Sequence, residues 1–238
     1  MRATQSNLET GRDSLHAENV RIKLPSGAET SLAYCEPRTG ESRTVCVVIA
    51  HGAGGPMHTP FIRYFHMGLA EYGFLTVKFN FPYMEARRRI PDRTNVLEET
   101  YRTVVEEVRS SRYKPMAIFI GGKSMGGRIA SQVVANGVEV NGLFFLAYPL
   151  HPPGRMEKLR DQHLYKITEP MLFVSGTRDN FARKDLLEQV VSKIGPNASI
   201  HWIEDGDHSF KRHVASRPEY DPLKEPFTVL KDWLLDHS

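Results

Sequence analysis

The chain has little of three features that would assign it to a specialised class of protein. It contains only two cysteines, Cys35 and Cys46, in 238 residues, and their spacing fits neither a disulfide framework nor a metal site. No apolar run approaches the roughly 20 residues needed to span a bilayer. The net charge is only +3, well short of the concentrated basic face of a nucleic-acid-binding protein. We therefore expect buried, structural cysteines and neither a nucleic-acid nor a membrane partner.

The composition is that of one globular domain behind a polar tail. Apolar residues make up 40% of the chain and charged residues 25%, which are ordinary values for a globular protein. Residues 1–18 are polar and lack the apolar core and cleavage site of a secretory signal, which predicts a cytoplasmic protein. Residues 19–238 have the length of a single domain.

Apolar strand patterns alternate with helical patterns through most of this domain. After a predicted hairpin at 19–35, the predicted strands are 44–50, 74–79, 116–120, 142–147, 171–175 and 199–203. The predicted helices are 61–72, 97–109, 125–135, 183–193 and 225–235. Such alternation is typical of an α/β fold whose mostly parallel sheet has helices on both faces. Residues 148–169 interrupt the pattern, and we expect either a short lid or a solvated connection, because about 20 residues cannot form a cap domain.

Ser124 lies in the sequence Gly122-Lys123-Ser124-Met125-Gly126, directly after a predicted strand. This G-x-S-x-G spacing is typical of a nucleophile elbow, in which a strand turns sharply into a helix and exposes a strained serine. Small residues are required two positions before and after the serine because side chains there would collide. The motif alone is weak, so its interpretation depends on the rest of the chain.

A serine hydroxyl needs a neighbouring base and a third group that orients the base. Functional residues of parallel sheets collect at the carboxyl ends of the strands. Asp179 follows predicted strand 171–175, and His208 follows predicted strand 199–203, so we expect Asp179 as the orienting acid and His208 as the base. The alternatives are a helix N-cap or turn aspartate and a surface-loop histidine. Three further carboxylates compete with Asp179 for the acid role, namely Asp185, Asp205 and Asp207.

The segment His51-Gly52-Ala53-Gly54-Gly55 follows another predicted strand and lacks bulky side chains. Backbone amides can therefore approach a ligand closely, as in an oxyanion hole. We expect the amides of Ala53 and Met125 to stabilise the negative oxygen formed in acyl transfer. The alternative is a tight or phosphate-binding glycine turn, although no Lys-Ser/Thr pair follows as a P-loop requires.

Three further features each have two interpretations. The arginines Arg87, Arg88, Arg89 and Arg93 either attract an anionic substrate or partner, or form a solvated loop. The aromatic residues Phe79, Phe81 and Tyr83 either line a pocket or pack in the core. Lys123 either favours anionic acyl groups or has a structural role in which it pairs with a nearby carboxylate.

The chain order Ser124, Asp179, His208 is that of an α/β-hydrolase. Over about residues 19–237 the chain resembles small α/β-hydrolases of the dienelactone-hydrolase-like group. Its segments 121–128 and 148–154 look closest to the testis-expressed and histone-acetyltransferase-complex-associated branch. The resemblance implies an α/β-hydrolase fold with a minimal cap or none. Dienelactone hydrolases carry cysteine where this chain has Ser124, so the resemblance does not imply that this chain acts on their substrate.

Together these residues predict a serine hydrolase that cleaves an ester, thioester or amide of a small molecule. No metal or organic cofactor is required by this chemistry. The competing hypothesis is a non-catalytic hydrolase-fold module that binds a protein partner. The complete set of serine, acid, base and oxyanion loop favours the enzyme, while the substrate and the oligomeric state stay open.

Overall fold

A single sheet forms the centre of the computed structural model, which describes residues 17–37, 45–213 and 220–238. Within these ranges eight strands are joined in the order β1-β2-β4-β3-β5-β6-β7-β8. The strands are β1 (Ala17–Lys23), β2 (Glu29–Cys35), β3 (Val45–Ala50), β4 (Leu75–Phe79), β5 (Ala117–Lys123), β6 (Gly142–Leu146), β7 (Met171–Gly176) and β8 (Ala198–Ile203). The first two form an antiparallel hairpin at one edge. Strands β3 to β8 run parallel.

The parallel strands are apolar because helices cover them on both faces. Every residue of β3, β4, β6 and β7 is buried, as expected for strands without a solvent face. The helices are α1 (Pro60–Glu71), α2 (Pro82–Glu85), α3 (Thr94–Ser110), α4 (Met125–Ala135), α5 (Lys184–Ile194) and α6 (Lys224–His237). One face of the sheet packs against α3, α4 and α5, and the other packs against α1 and α6. The fold class expected from the sequence is therefore confirmed.

The predicted elements agree with the observed ones, with small differences at their ends. Strand β5 continues to Lys123, three residues beyond its predicted end, and leads straight into the residue before α4. Strand β1 begins at Ala17, two residues before the predicted start of the domain. The short helix α2 was not predicted, because four residues are too few for a helical period to show.

Several smaller expectations concern burial. Cys35 and Cys46 are both buried free thiols, as predicted. Phe79, Phe81 and Tyr83 are fully buried in the core, so the packing interpretation holds for them. Among the helices that the structure describes, none is both long and apolar enough to cross a membrane.

Residues 148–169 form an irregular segment with one 3-10 turn at Leu164–Lys166. Its middle, from Pro153 to Leu159, is exposed, while Tyr148 and His151 are buried. Its hydrogen bonds run to α4, through His163 Nε2 and Ser131 Oγ, and to the loop before α5. The segment is therefore tied to the domain on two sides.

Candidate active site

Ser124 occupies the sharp turn between β5 and α4. Its backbone has φ 50° and ψ −113°, a left-handed conformation that costs a non-glycine residue of the order of 1–3 kcal/mol. The Ser124 amide donates to Leu146 O at 3.0 Å and its carbonyl accepts from the Arg128 amide at 3.1 Å. The neighbouring strand and the helix thus hold the serine in the strained geometry expected of a nucleophile elbow.

The glycines on either side of Ser124 are needed for close packing against β3. A Cβ on Gly122 would lie 2.2 Å from Ala50 O, and one on Gly126 would lie 2.6 Å from the same oxygen. Both distances are far below van der Waals contact with a backbone atom that cannot move aside. The elbow can approach the end of β3 only because both positions lack a side chain.

The three residues expected to form a triad lie within hydrogen-bond distance of one another. His208 Nε2 is 2.9 Å from Ser124 Oγ, and His208 Nδ1 is 2.8 Å and 2.9 Å from the two carboxylate oxygens of Asp179. This pattern fits a neutral ring whose Nδ1–H donates to Asp179 and whose Nε2 accepts from Ser124. The Asp179 side chain is fully buried, whereas that of His208 is 22% exposed.

Asp179 is held by its own loop as well as by His208. One carboxylate oxygen accepts from the Phe181 amide at 2.8 Å. Asp179 therefore makes the bond of a turn aspartate and the bond to His208 with the same side chain. The Phe181 ring lies on the His208 ring, with 4.3 Å between centroids and 34° between planes. Sequence reasoning missed Phe181, because no residue pattern shows which ring will face the histidine.

The competing carboxylates are engaged elsewhere. Asp207 accepts from the amides of Ser209 and Lys211 within its own turn. Asp205 binds Arg178, and Asp185 binds Arg183. Asp179 is the one of the four whose carboxylate meets the His208 ring.

His51 fixes the loop that follows β3. It is buried, and burial lowers its pKa to about 4, so the ring is neutral near pH 7. Its Nδ1–H donates to Gly52 O at 2.7 Å, and its Nε2 accepts from the Phe81 amide at 3.1 Å. Tyr83 adds a hydrogen bond from its hydroxyl to Ala53 O at 3.1 Å.

These bonds determine how the Ala53 amide is oriented. The Gly52 carbonyl and the Ala53 N–H belong to one planar peptide and point in opposite directions. Because His51 binds Gly52 O, the Ala53 N–H points away from the His51 ring. A Cβ on Gly52 would lie 3.7 Å from Ser124 Cβ, which places this peptide beside the serine. Within residues 17–37, 45–213 and 220–238, neither the Ala53 nor the Met125 amide donates a hydrogen bond.

The Lys123 side chain reaches the loop that carries His208. Its Nζ donates to His208 O and lies 5.4 Å and 5.5 Å from the ring centroids of Phe61 and Phe210. Burial lowers the pKa of Lys123 to about 8, against the opposing effect of Asp179 and Asp207. The side chain thus supports the loop, but its hydrogen bond runs to a backbone carbonyl and not to a carboxylate as the structural interpretation expected.

Two surface features lie outside this constellation. The arginine loop is exposed at residues 87–89 and 93, and Arg88 is paired with Asp92 at 2.6 Å. A groove of about 700 Å³ runs between α1 and α6, lined by residues that include Tyr64, Met67 and Phe227. None of Ser124, Asp179 and His208 lines this groove, and we place the candidate site at these three residues because their side chains are hydrogen-bonded to one another.

No metal site accompanies the triad in the part of the chain that the structure describes. There, no three His, Cys, Asp or Glu side chains are grouped so that they could hold an ion.

His151 is a second residue that sequence reasoning missed. Its place after a strand gave no link to Ser124, yet its ring contacts the loop that carries Asp179. The ring accepts from the Arg183 amide at 3.1 Å. The available signal was the His-Pro-Pro-Gly sequence that begins at His151, shortly after β6.

A family model described as an alpha/beta hydrolase domain matches residues 43–225 of this chain. The match spans well over half of the sequence and contains Ser124, Asp179 and His208. The chain therefore belongs to the α/β-hydrolase family.

Solved structures resemble the fold over nearly its whole length. An α/β serine hydrolase homologue from Coxiella burnetii is 20% identical, with a TM-score of 0.69 over 92% of this chain and 96% of that one. A serine hydrolase without a lid from Xanthomonas campestris is 18% identical, with a TM-score of 0.70 over 93% of both chains. A dienelactone hydrolase from Anabaena variabilis is 15% identical, with a TM-score of 0.72 over 94% of this chain and 98% of that one. At these identities the likeness is one of fold.

Proposed function

We propose that the protein is a serine hydrolase that cleaves an ester, thioester or amide of a small molecule through an acyl-enzyme. The observation that carries the proposal is the continuous hydrogen-bonded path from Ser124 Oγ through His208 to the buried Asp179. A serine hydroxyl is activated near neutral pH by a base within hydrogen-bond reach and by a third group that orients the base.

In the acylation step Ser124 Oγ attacks the substrate carbonyl carbon while His208 Nε2 takes the hydroxyl proton. The carbonyl π electrons move to the oxygen, and a tetrahedral intermediate forms. His208 then gives its proton to the leaving group as the bond to that group breaks. The acyl group stays on Ser124, and Asp179 stabilises the transient imidazolium through Nδ1–H throughout.

Deacylation repeats these steps with water as the nucleophile. His208 Nε2 takes a proton from water, and the hydroxide oxygen adds to the acyl carbon. Collapse of the second tetrahedral intermediate breaks the bond to Ser124 Oγ, which recovers its proton from His208. The carboxylic acid product leaves, and the enzyme regains its starting protonation.

The negative oxygen of both intermediates is stabilised by the amides of Ala53 and Met125. Each amide has no other acceptor among the described residues, and the Met125 amide lies at the N-terminus of α4, where the helix dipole favours negative charge. Donors fixed before the reaction need no reorganisation when the charge appears, which is why such donors are effective.

The substrate is a small molecule carrying the acyl group, and the proposed site is open. Ala53 and Gly54 of the oxyanion loop are exposed, and the Xanthomonas campestris neighbour is described as lacking a lid. Membership of the testis-expressed and histone-acetyltransferase-complex-associated branch is part of the same proposal, and it rests on the motifs at 121–128 and 148–154.

A fluorophosphonate probe provides the test, because it forms a stable adduct only with an activated serine. We expect the folded wild-type protein to be labelled at Ser124, as located by peptide mass spectrometry. No labelling of folded protein, under conditions that label known serine hydrolases, would contradict the proposal.

The Ser124→Ala variant separates catalysis from a protein-binding role. We expect it to be unlabelled and inactive against a panel of esters, thioesters and amides. Its unfolding temperature should be close to that of the wild type. If a protein partner is captured equally by the wild type and this variant while neither shows activity, the interaction-module hypothesis is supported instead.

A further inference from the structure

The buried His151 joins two loops at the carboxyl edge of the sheet. Its Nδ1–H donates to Pro152 O at 3.0 Å, and its Nε2 accepts from the Arg183 amide at 3.1 Å. Its own amide donates to Phe181 O at 3.0 Å. The side chain and the backbone of one residue thus fix both ends of the stretch 181–183.

The stretch held by His151 is continuous with the proposed acid. Asp179 accepts from the Phe181 amide at 2.8 Å, and the Ala182 amide donates to Asp179 O at 3.2 Å. Phe181 also covers the His208 ring, 4.3 Å away. A movement of 181–183 would therefore displace both the carboxylate on Nδ1 and the aromatic ring on the face of His208.

We propose that His151 is a positioning residue, which holds the loop 179–183 so that Asp179 and Phe181 keep His208 aligned with Ser124. This inference rests on the proposed function of the site. His151 does not touch the reacting atoms, and it acts through the loop.

The neutral tautomer of His151 is essential to this role. A carbonyl faces Nδ1 and an N–H faces Nε2, so the ring must carry its proton on Nδ1. Phenylalanine keeps an aromatic ring at this position but removes both hydrogen-bonding atoms, so the Arg183 amide and the Pro152 carbonyl lose their bonds to the ring. Glutamine keeps an acceptor near the place of Nε2, whereas the shorter asparagine cannot reach it.

The test compares His151→Phe, His151→Gln and His151→Asn with the wild type in saturation kinetics of fluorophosphonate labelling. A misplacement of about 1 Å in a reacting constellation lowers rates by up to about 100-fold. We therefore expect the maximal labelling rate to fall about 10- to 100-fold in H151F and H151N and to recover to within about threefold of wild type in H151Q. The half-saturating probe concentration should be unchanged, because the loop orients His208 rather than binding the probe.

A matched control is His163→Phe, which removes another histidine of the same segment. His163 bonds to Ser131 on α4 rather than to the acid loop. We expect this variant to lose thermal stability but to label within about twofold of wild type. An equal loss of rate in H163F and H151F, or a wild-type rate in H151F and H151N, would overturn the inference.

The downfield proton resonance of His208 Nδ1–H separates this inference from the proposed function. We expect the signal in the wild type and in H151Q, and its broadening or loss in H151F and H151N. If the wild type shows the signal but is not labelled, the proposed function fails while the positioning role is still measured by the variants. If the signal is identical in all of them, the positioning role is wrong.

Discussion

Two histidines, His51 and His151, make the same pair of hydrogen bonds on opposite sides of Ser124. Each follows a strand that flanks β5 in the sheet, β3 for His51 and β6 for His151. Each donates from Nδ1 to the carbonyl of the next residue and accepts at Nε2 from the amide of another loop. Neutral buried histidines therefore tie down the loops on both sides of the elbow.

The two sides differ in what the histidine holds. His51 orients a peptide of its own loop, Gly52-Ala53, whose N–H is a proposed oxyanion donor. His151 acts across to a different loop, which carries the proposed acid. On the oxyanion side the histidine therefore acts on the next peptide and is itself anchored by a separate segment, whereas on the acid side the histidine acts directly on a separate segment.

The largest expected effect comes from the acid side itself. In Asp179→Asn the amide side chain favours the wrong tautomer of His208, and we expect kcat to fall about 10⁴-fold with a similar KM. Steady-state hydrolysis of the best ester from the substrate panel measures this. A loss below about tenfold would mean that another carboxylate supplies the acid.

The next effect belongs to the oxyanion side. His51→Phe keeps the ring but releases Gly52 O, so the Ala53 amide loses its fixed direction. Loss of one oxyanion donor lowers kcat about 10²- to 10³-fold, and we expect a fall towards the lower end of that range. The same ester assay measures it, with H163F as the control for loss of a half-buried histidine outside this loop. An unchanged kcat would show that His51 does not orient the donor.

The expected pH dependence of stability also follows from burial. Burial lowers the folded-state pKa of His51, and of the buried His66 in α1, to about 4, below the value of about 6.5 in the unfolded chain. The unfolded state therefore binds more protons between these values, and stability is lost as the pH falls from 6.5 towards 4. From about pH 7 to about pH 5 we expect a loss of about 2 kcal/mol per histidine.

Urea unfolding of the wild type and His51→Phe at both pH values tests this. Between pH 7 and pH 5 the free energy of unfolding should fall by about 2 kcal/mol less in the variant than in the wild type. Equal pH dependence in the two proteins would mean that His51 is not held neutral by its surroundings.

The smallest expected effect distinguishes Asp179 from its neighbours. Asp205 is 40% exposed and pairs with Arg178 at 2.6 Å, so Asp205→Asn should change kcat by less than about twofold and should leave the unfolding temperature nearly unchanged. Thermal unfolding and the ester assay measure both. A large loss of kcat would move the acid role towards this loop.

The site could be predicted from the sequence wherever a residue directly follows the end of a strand. The parallel strands place Ser124, Asp179 and His208 at one edge because strand ends meet there, and the apolar runs make the strands themselves easy to find. Small deviations occur where the pattern is short, as in the four-residue α2.

Contacts between irregular segments could not be predicted in this way. Neither the contact of the Phe181 ring with the His208 ring nor the bond from the Arg183 amide to His151 follows from periodicity, because loops have none. The bond of Lys123 to His208 O likewise depends on where the loop after β8 lies relative to the end of β5. These contacts are set by tertiary packing alone.

Trapping the acyl-enzyme tests the central claim most directly. The protein is mixed with a p-nitrophenyl ester, quenched in acid during the first turnover and measured by intact and peptide mass spectrometry. We predict a burst of p-nitrophenol with an acyl adduct on Ser124, and neither in Ser124→Ala. Steady hydrolysis that is undiminished in Ser124→Ala, with no adduct on the wild type, would contradict the account.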